Sequence, residues 1–308
     1  MRRSLLVMAM AWAAAPGCAR PHVDVPIVSS VDGFEKVEGY ENTTQRIKRD
    51  PIAYLNECLA ETQKLKSFTT HFQRQERLGL IPQLKEQENI RAEFRDDPFS
   101  VRFTWMDEDS EYQQCVFVKG RNDDKVLLVP RKGLLGQPPA VQKYPAQFAV
   151  VFQKARNPIT DFGPRRMMER ILDRIEKARK HGEVAIKLVG AAEIGPRKEP
   201  CFHLELRYPP KDQFPCKLQD LYISTKTRLP VATYLWLPAK EERTEASLDG
   251  MYAYNSLNDD VDHRDNVFVL DCVKKGKSGT GGVKTAKTSA VDAGAASPRA
   301  AAETGPGQ

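Results

Sequence analysis

The chain has 308 residues, of which 41% are hydrophobic and 29% are charged, and its formal net charge at pH 7 is +6. The positive excess lies at the two ends, because two arginines open the chain and the segment 274–308 holds six basic residues against two acidic ones. The rest of the chain is nearly neutral. A nucleic-acid-binding protein needs its basic excess on the folded domain, so this charge distribution argues against that class of function.

The first predicted element is an export signal at residues 1–17. Two arginines precede an apolar run of about eleven residues, Leu5–Ala15, which is too short to span a bilayer and is typical of a signal peptide. Cys18 follows a glycine and resembles the cysteine of a bacterial lipobox, which is lipidated and becomes the new N-terminus. Cleavage after Ala15, which would release a soluble protein, and an uncleaved anchor are the alternatives. The lipoprotein interpretation predicts a protein anchored by acyl chains on the periplasmic face of a bacterial membrane.

Composition divides the chain after the signal into three parts. Residues 18–49 are polar and irregular, and we predict that they form a tether between the membrane and one folded domain, residues 50–273. That length of chain is sufficient for a single hydrophobic core. The segment 274–308 lacks hydrophobic periodicity, so we predict a disordered tail that cannot bury enough apolar surface to offset its ordering entropy.

Two main helices are predicted from apolar stripes at helical spacing. The first begins with Asp50 as the N-cap and Pro51 in the first turn. The second covers about residues 163–182 and carries Met167 and Met168 on its apolar face. We expect that face to pack in the core, although two adjacent methionines are also suited to line an adaptable lipophilic pocket.

Other segments alternate apolar and polar residues, which predicts strands with one buried face and one wet face. Together they predict an α+β fold in which two main helices pack against a large curved antiparallel sheet, an incomplete barrel. Residues 130–145 are rich in proline and glycine and are predicted to form a long loop, of the kind that often covers a binding site. The predicted strands are 68–73, 90–95, 99–105, 115–118, 126–129, 184–189, 202–207, 221–224, 231–237 and 251–254.

Motifs that carry catalytic or metal chemistry are absent from the sequence. It contains no Gly-x-Ser-x-Gly, no His-Glu-x-x-His and no Cys-x-x-Cys, so we predict that the protein is not an enzyme and has no cofactor and no bound metal. His71 and His203 lie on the polar faces of two separate predicted strands. Exposed surface histidines are a simpler interpretation of this pair than metal ligands from two strands.

The cysteines leave the disulfide pattern open. If Cys18 is lipidated, five cysteines remain and cannot all pair within one chain. Export permits disulfides, and Cys201 and Cys216, as flanks of one predicted hairpin, are the candidate pair. Buried free thiols are the alternative.

Four further segments carry a recognisable pattern: Phe72–Arg77, Asp97–Trp105, Val118–Asn122 and the strand–turn–strand segment Leu221–Val231. Together they resemble the DUF1571 family of exported bacterial proteins. The resemblance covers most of residues 50–270 and implies an exported protein, but it names no activity. The same order of elements is more distantly similar to the periplasmic lipoprotein carriers LolA and LolB. That similarity implies an incomplete antiparallel barrel closed by helices, with an apolar cavity for acyl chains.

These observations lead to the hypothesis of a non-catalytic cell-envelope lipoprotein that binds a lipid or a lipidated protein in an apolar half-barrel cavity. Its expected partners are the membrane, through the N-terminal lipid, and an acyl lipid or lipoprotein ligand, with no nucleic acid and no identified protein partner. One alternative is a structural or protein-interaction lipoprotein with a filled core, and another is a hydrolase with an unrecognised site. The candidate cavity residues are Phe99, Val101, Phe103, Trp105, Met167 and Met168.

Overall fold

The computed structural model of the protein describes residues 39–132, 139–209, 214, 216–237 and 243–272. The predicted signal peptide, Cys18, the first part of the predicted tether and the predicted tail lie outside these residues. The described α-helices are α1 (Tyr40–Arg49), α2 (Pro51–Lys64), α3 (Phe148–Val151) and α4 (Pro164–Arg179). None of these four helices has both the length and the apolar character that a membrane span requires.

Twelve strands in the described ranges form one antiparallel sheet. Their order is β7-β6-β5-β4-β3-β1-β12-β11-β10-β9-β8, with β2 paired to β1. The strands are β1 (Ser67–Leu78), β2 (Gln83–Leu84), β3 (Glu88–Arg95), β4 (Ser100–Trp105), β5 (Tyr112–Val118), β6 (Lys125–Pro130), β7 (Gln142–Pro145), β8 (Ala185–Ile194), β9 (Glu199–Arg207), β10 (Leu218–Ser224), β11 (Pro230–Trp236) and β12 (Leu248–Asn258). The pairing of β1 with β12 joins two meanders, one from each half of the chain, into a single sheet. The predicted α+β fold with a large antiparallel sheet is confirmed.

One face of the sheet, called here the inner face, shares a hydrophobic core with the helices. Helix α2 begins as predicted, since the Asp50 carboxylate accepts a hydrogen bond from the Ala53 backbone N–H at 2.9 Å. Helix α4 buries the apolar stripe that its spacing predicts, and these side chains join the core that Phe68 and Phe72 of β1 form from the sheet. Alternation along each strand therefore puts one set of side chains against the helices.

Helix α1 lies within the segment predicted to be a tether. It buries Tyr40, Thr44 and Ile47, and the ring of Tyr40 stacks on Phe202 with centroids 5.4 Å apart. These positions share one face of a helix, but they are separated by polar residues, so the apolar pattern is too sparse to be recognised in the sequence. The folded unit therefore includes residues 40–49.

The predicted loop 130–145 contains a further strand. Its last part, β7, pairs with β6, and Lys125 lies opposite Pro145. Residues 133–138 of the predicted loop lie outside the described residues. Proline is tolerated at such a place because β7 is an edge strand of the sheet, where a missing backbone N–H leaves no ladder partner unsatisfied.

The candidate disulfide between Cys201 and Cys216 is not formed, and both residues are buried free thiols. Cys201 lies opposite Ser224 at one end of the β9–β10 hairpin, whereas Leu218, which follows Cys216, lies opposite Arg207 at the other end. At about 3.3 Å per residue these two ends of the hairpin are roughly 20 Å apart, so Cys216 lies far beyond the reach of a disulfide with Cys201.

The expectation that His203 is an exposed surface histidine is also wrong. His203 is buried, and its Nε2 lies 2.8 Å from a carboxylate oxygen of Asp220. The side chain lies on the face of β9 opposite the inner face, and Tyr222 of β10 stacks on its ring at 4.6 Å. Both faces of this part of the sheet are therefore buried, which alternation in β9 does not indicate because histidine and glutamate occupy the second face.

Candidate ligand-binding cavity

A cavity of about 610 Å³ opens on the inner face of the sheet. Its wall includes residues of strands β1 to β6 and β12, of α4, and of the stretch between β7 and α4, residues 146–162, called here the cover segment. The volume lies in the range of small-molecule and cofactor sites, about 300–1,000 Å³. Because the sheet residues of this wall alternate with residues of the other face, the register of the strands decides which side chains meet in the cavity.

Four aromatic residues, called here the aromatic cluster, form the apolar part of the wall: Phe72, Phe103, Phe162 and Tyr254. Phe72 lies directly opposite Tyr254 in the β1–β12 pair, and β4 contributes Phe103. Phe162, at the end of the cover segment, packs on all three, with ring centroids 5.2 Å from Phe72, 4.8 Å from Phe103 and 5.7 Å from Tyr254. This part of the wall suits an apolar ligand group.

A polar band crosses the same wall two positions farther along the strands. It consists of Arg74, Glu76, Glu88 and Tyr252, with the indole of Trp105. Arg74 lies opposite Tyr252 on one side and Glu88 on the other. Its Nε donates to Glu88 at 2.6 Å, and the Trp105 Nε1 donates to the other oxygen of Glu88 at 2.8 Å. The cavity is therefore amphipathic.

Charges in the polar band are held by mutual contact. Burial by itself lowers the pKa of Arg74, but the carboxylates of Glu88 and Glu76 raise it above its usual value, so the guanidinium stays charged. Burial, with the nearby Glu76 carboxylate, raises the pKa of Tyr252 well above its usual value. Tyr252 is therefore a neutral hydroxyl that donates its proton to Glu76 in a short hydrogen bond.

Arg156 fastens the cover segment to the sheet. Its Nη1 donates to the Asp249 carboxylate at 2.6 Å, and its Nη2 donates to the backbone oxygens of Asp249 and Arg77 at 2.8 and 3.1 Å. The backbone N–H of Arg156 also donates to Glu76 of the polar band. Bidentate pairs of this kind fix orientation as well as distance, so the cover segment and the polar band are positioned by one set of contacts.

Large apolar side chains are exposed beside the opening. Leu80 and Ile81, in the turn between β1 and β2, are 93% and 81% exposed, and Val151 and Phe152, at the end of α3, are 70% and 61% exposed. Both segments border the cavity, because Leu78 and Leu84 flank the turn and Phe148 begins α3, and all three line the wall. Exposed apolar groups that are close together mark surfaces that meet a partner or a membrane.

The structure brings together only some of the residues predicted to line the cavity. Phe103 and Trp105 lie in its wall. Phe99 instead borders a recess of about 30 Å³ beside Phe68 and Phe94. The remaining three predicted residues are buried in the packed core and do not reach the cavity wall: Val101, Met167 and Met168.

Sequence reasoning missed the polar band. The signal was present, because Arg74 and Glu76 occupy the same strand face as Phe68 and Phe72, whose apolar character marks that face as buried. Charged residues at positions that alternate onto a buried face indicate a site where charges are paired, since burying a charge without a partner is costly. Glu88 lay outside the predicted strand 90–95, and its pairing with Arg74 depends on the β1–β3 register.

Metal ligation finds no support in the described part of the chain, where no group of three or more histidine, cysteine, aspartate or glutamate side chains is placed to hold an ion. The groups that the cavity wall offers to a ligand are aromatic rings, carboxylates, and arginine and lysine side chains. This set can bind and orient a ligand through apolar contact, hydrogen bonds and charge.

The sequence matches the model of a protein family described as "Protein of unknown function (DUF1571)" over residues 65–271. The match includes β1, the polar band and the cover segment. No curated protein matches the sequence.

Solved structures with a similar fold include three bacterial proteins. The Pseudomonas aeruginosa MucA/MucB complex matches at 15% identity and a TM-score of 0.41, over 72% of this chain and 61% of that chain. The Mycobacterium tuberculosis lipoprotein LppX matches at 12% identity and a TM-score of 0.38, over 69% and 98%. A LolA-superfamily protein from Nitrosomonas europaea matches at 8% identity and a TM-score of 0.23, over 71% and 98%. This chain thus covers about three fifths of the length of the chain that it matches in the MucA/MucB complex.

Proposed function

Because the chain belongs to the DUF1571 family, whose function is unknown, we propose a function from its cavity: it binds an acyl chain, from a lipid or a lipidated protein, at the bacterial cell envelope. The role is binding without catalysis. The observation that carries the proposal is the amphipathic cavity of about 610 Å³, with the aromatic cluster on one part of its wall and the polar band beside it.

The energetics of an acyl chain fit such a site. Each buried CH₂ contributes about 0.8 kcal/mol, so a chain that reaches the aromatic cluster gains several kcal/mol before the costs of immobilisation. The polar band offers hydrogen-bonding and charged groups to a head at one end of such a ligand.

The envelope location rests on the N-terminal sequence. Arg2 and Arg3, the apolar run and the glycine before Cys18 support export and lipidation of Cys18, with the protein held at the periplasmic face of a membrane. The exposed side chains of Leu80, Ile81 and Phe152 beside the opening suit a protein that takes its ligand from an apolar surface.

The alternative is an envelope protein with a filled core that binds a protein partner through its surface. The cavity favours acyl binding over this alternative, because an inner face filled only by side chains would leave no such space. A filled core is the expected architecture for the C-terminal half of the sheet, where Phe202, Leu204 and Leu206 of β9 are fully packed.

Native mass spectrometry tests the proposal. The full chain with Cys18→Ser, which removes its own acyl groups, is purified without detergent from a bacterial host and measured before and after organic extraction. We expect an extractable ligand of acyl-lipid mass. A clean protein mass at both stages, with no uptake of a fluorescent fatty acid, would contradict acyl binding and favour the alternative.

A matched pair of variants tests whether that ligand lies in the cavity. Ala149 of α3 lines the wall, whereas Val189 of β8 is exposed and is not part of the wall. Ala149→Trp adds a large side chain to the cavity and is expected to reduce the retained ligand at least fivefold, whereas Val189→Trp leaves it unchanged. Equal retention by both variants would place the ligand elsewhere.

A further inference from the structure

We propose that the ligand of this cavity carries a positively charged, ammonium-type head. This inference rests on the proposed function, since it assigns the head of an amphiphile whose apolar part occupies the aromatic cluster. It follows from the balance of charge on the wall, from an aromatic pair at the polar band and from the spacing between the two.

Carboxylates outnumber cationic side chains on the cavity wall. Among the described residues that line it, seven carboxylates face four cationic side chains. Three of the cations already have a carboxylate partner on the wall, in the pairs Arg74–Glu88, Lys154–Glu111 and Arg170–Asp161. The charged wall residues outside these three pairs are Glu76, Glu86, Asp107 and Asp109, which are acidic, and Lys85, which is basic.

Trp105 and Tyr112 form an aromatic pair at the polar band, with ring centroids 5.5 Å apart and planes inclined by 55°. Each ring donates a hydrogen bond to a carboxylate of the wall: Trp105 to Glu88 at 2.8 Å and Tyr112 to Glu111 at 2.9 Å. Aromatic faces attract cations within about 6 Å, and quaternary ammonium groups are recognised in this way. The pair thus provides an electron-rich surface independent of the number of acidic residues.

The spacing fits one amphiphile. Trp105 lies opposite Ile90 in the β3–β4 pair, and Ile90 lies opposite Phe72 in the β1–β3 pair. Arg74 and Glu88 follow two residues from Phe72 and Ile90, which is about 7 Å at 3.3 Å per residue. The backbone of Trp105 is level with Phe72 in this register, but its indole reaches Glu88 at 2.8 Å, and the ring of Tyr112 lies 5.5 Å from the indole. A tail against the aromatic cluster therefore leaves its head beside Trp105 and Tyr112.

An anionic head is disfavoured at the same place. Arg74, the buried cation of the polar band, is already engaged by Glu88 through its Nε and Nη2. An added carboxylate or phosphate would lie near Glu76 and Glu88 without a free buried cation to offset the repulsion. This repulsion between like charges favours the ligand with an ammonium head over one with an anionic head.

Three single-chain amphiphiles with the same twelve-carbon tail test the inference: dodecyltrimethylammonium, laurate and the neutral monolaurin. Binding to the full chain with Cys18→Ser is measured by isothermal titration calorimetry below the micelle concentration. We expect dodecyltrimethylammonium to bind about tenfold more tightly than laurate, with monolaurin between them.

The three ligands separate the two proposals. If monolaurin binds but laurate binds as tightly as the ammonium amphiphile or more tightly, the cationic head is refuted while acyl binding stands. If none of the three binds, the proposed function fails together with this inference. A preference for the ammonium head that disappears in high salt supports a charge-based selection.

Variants identify the groups responsible. Glu88→Gln is expected to weaken ammonium binding about fivefold more than it weakens monolaurin binding, and a thermal unfolding curve checks that the variant folds. Asp109→Asn, at an exposed wall position, gives a smaller loss in the same direction without disturbing Arg74. Asp123→Asn, outside the wall, is the control. Equal effects of Asp109→Asn and Asp123→Asn would argue against selection by the wall carboxylates.

Discussion

At the scale of single residues, Asp220 shows how this fold accommodates a buried charge. The side chain is fully buried, and its carboxylate contacts His203 Nε2 at 2.8 Å, Trp236 Nε1 at 2.7 Å and Arg243 Nε at 2.6 Å. Burial by itself raises the pKa of Asp220, but the hydrogen bonds from His203 and Arg243 lower it to about 2. These hydrogen bonds, and not burial, therefore determine that Asp220 is charged in the folded protein.

Acid titration tests this contribution. Because the pKa of Asp220 is lower in the folded protein than the unfolded value of about 4, its stabilisation is complete above pH 4 and is lost as the pH falls towards 2. We expect the free energy of unfolding to lose about 2 kcal/mol from this group over that interval. Asp220→Asn is expected to lower stability at pH 7 by about 3 kcal/mol and to abolish this part of the pH dependence.

The control is Asp123→Asn, whose side chain is 80% exposed. It should leave both the unfolding free energy and its pH dependence within about 0.5 kcal/mol of the parent. If Asp220→Asn unfolds with the same pH dependence as the parent between pH 4 and pH 2, another group accounts for the acid sensitivity.

At the scale of elements, α1 is a part of the core that its composition conceals. Its polar residues face outward, and Ile47 is 1% exposed in the same hydrophobic cluster as Phe202. A helix of ten residues is marginal alone, so its stability depends on this packing. The helix therefore forms because the sheet offers it an apolar surface.

Truncation of one side chain distinguishes a packed helix from a tether. Ile47→Ala is expected to lower the free energy of unfolding by about 2–4 kcal/mol, measured by denaturant titration, because it leaves a cavity in the core. Lys48→Ala, at the next and exposed position, is the matched control and should change stability by less than about 0.5 kcal/mol. Equal stability of the two variants would show that α1 does not pack on the domain.

At the scale of the whole molecule, the sheet is held together without disulfides among its described cysteines. Cys58, Cys115, Cys201 and Cys216 are buried free thiols, while Cys272 is exposed. Burial raises the pKa of Cys58 and of Cys115 to about 12 and that of Cys216 to about 11. A thiol reacts as its thiolate, so these groups are inert while the protein is folded.

A thiol titration at pH 8 measures this directly. In the Cys18→Ser chain, we expect one thiol to react rapidly with a disulfide reagent, and the others only after addition of guanidinium. Cys272→Ser should remove the rapid phase. A rapid phase that persists in the Cys272→Ser variant would show that at least one buried thiol becomes accessible in the native protein.

The sequence predicted part of the cavity. Alternation in β4 put Phe103 and Trp105 on the buried face, and both line the wall. The same pattern applies to Val101, which is packed in the core, because alternation gives the face of a strand but not the point along it where a helix ends and a space begins. Met167 and Met168 pack in the core, as expected first for the apolar face of their helix, and they do not reach the cavity wall.

Local physics determined the elements of this protein. Apolar periods of two and of about 3.6 residues specify strands and helices, and Asp50 with Pro51 specifies where α2 begins, since these signals depend only on neighbours in the chain. The DUF1571 membership predicted from short motifs is confirmed over residues 65–271.

Tertiary structure alone decided what those elements surround. The pairing of β1 with β12 brings Arg74 opposite Tyr252, and the pairing of β1 with β3 brings it opposite Glu88. Such register depends on residues far apart in the chain, and a shift of one position would turn every side chain to the other face. Three features therefore depend on the pairing of distant strands. They are the polar band, the separation of the free thiols Cys201 and Cys216, and the burial of His203 against Asp220.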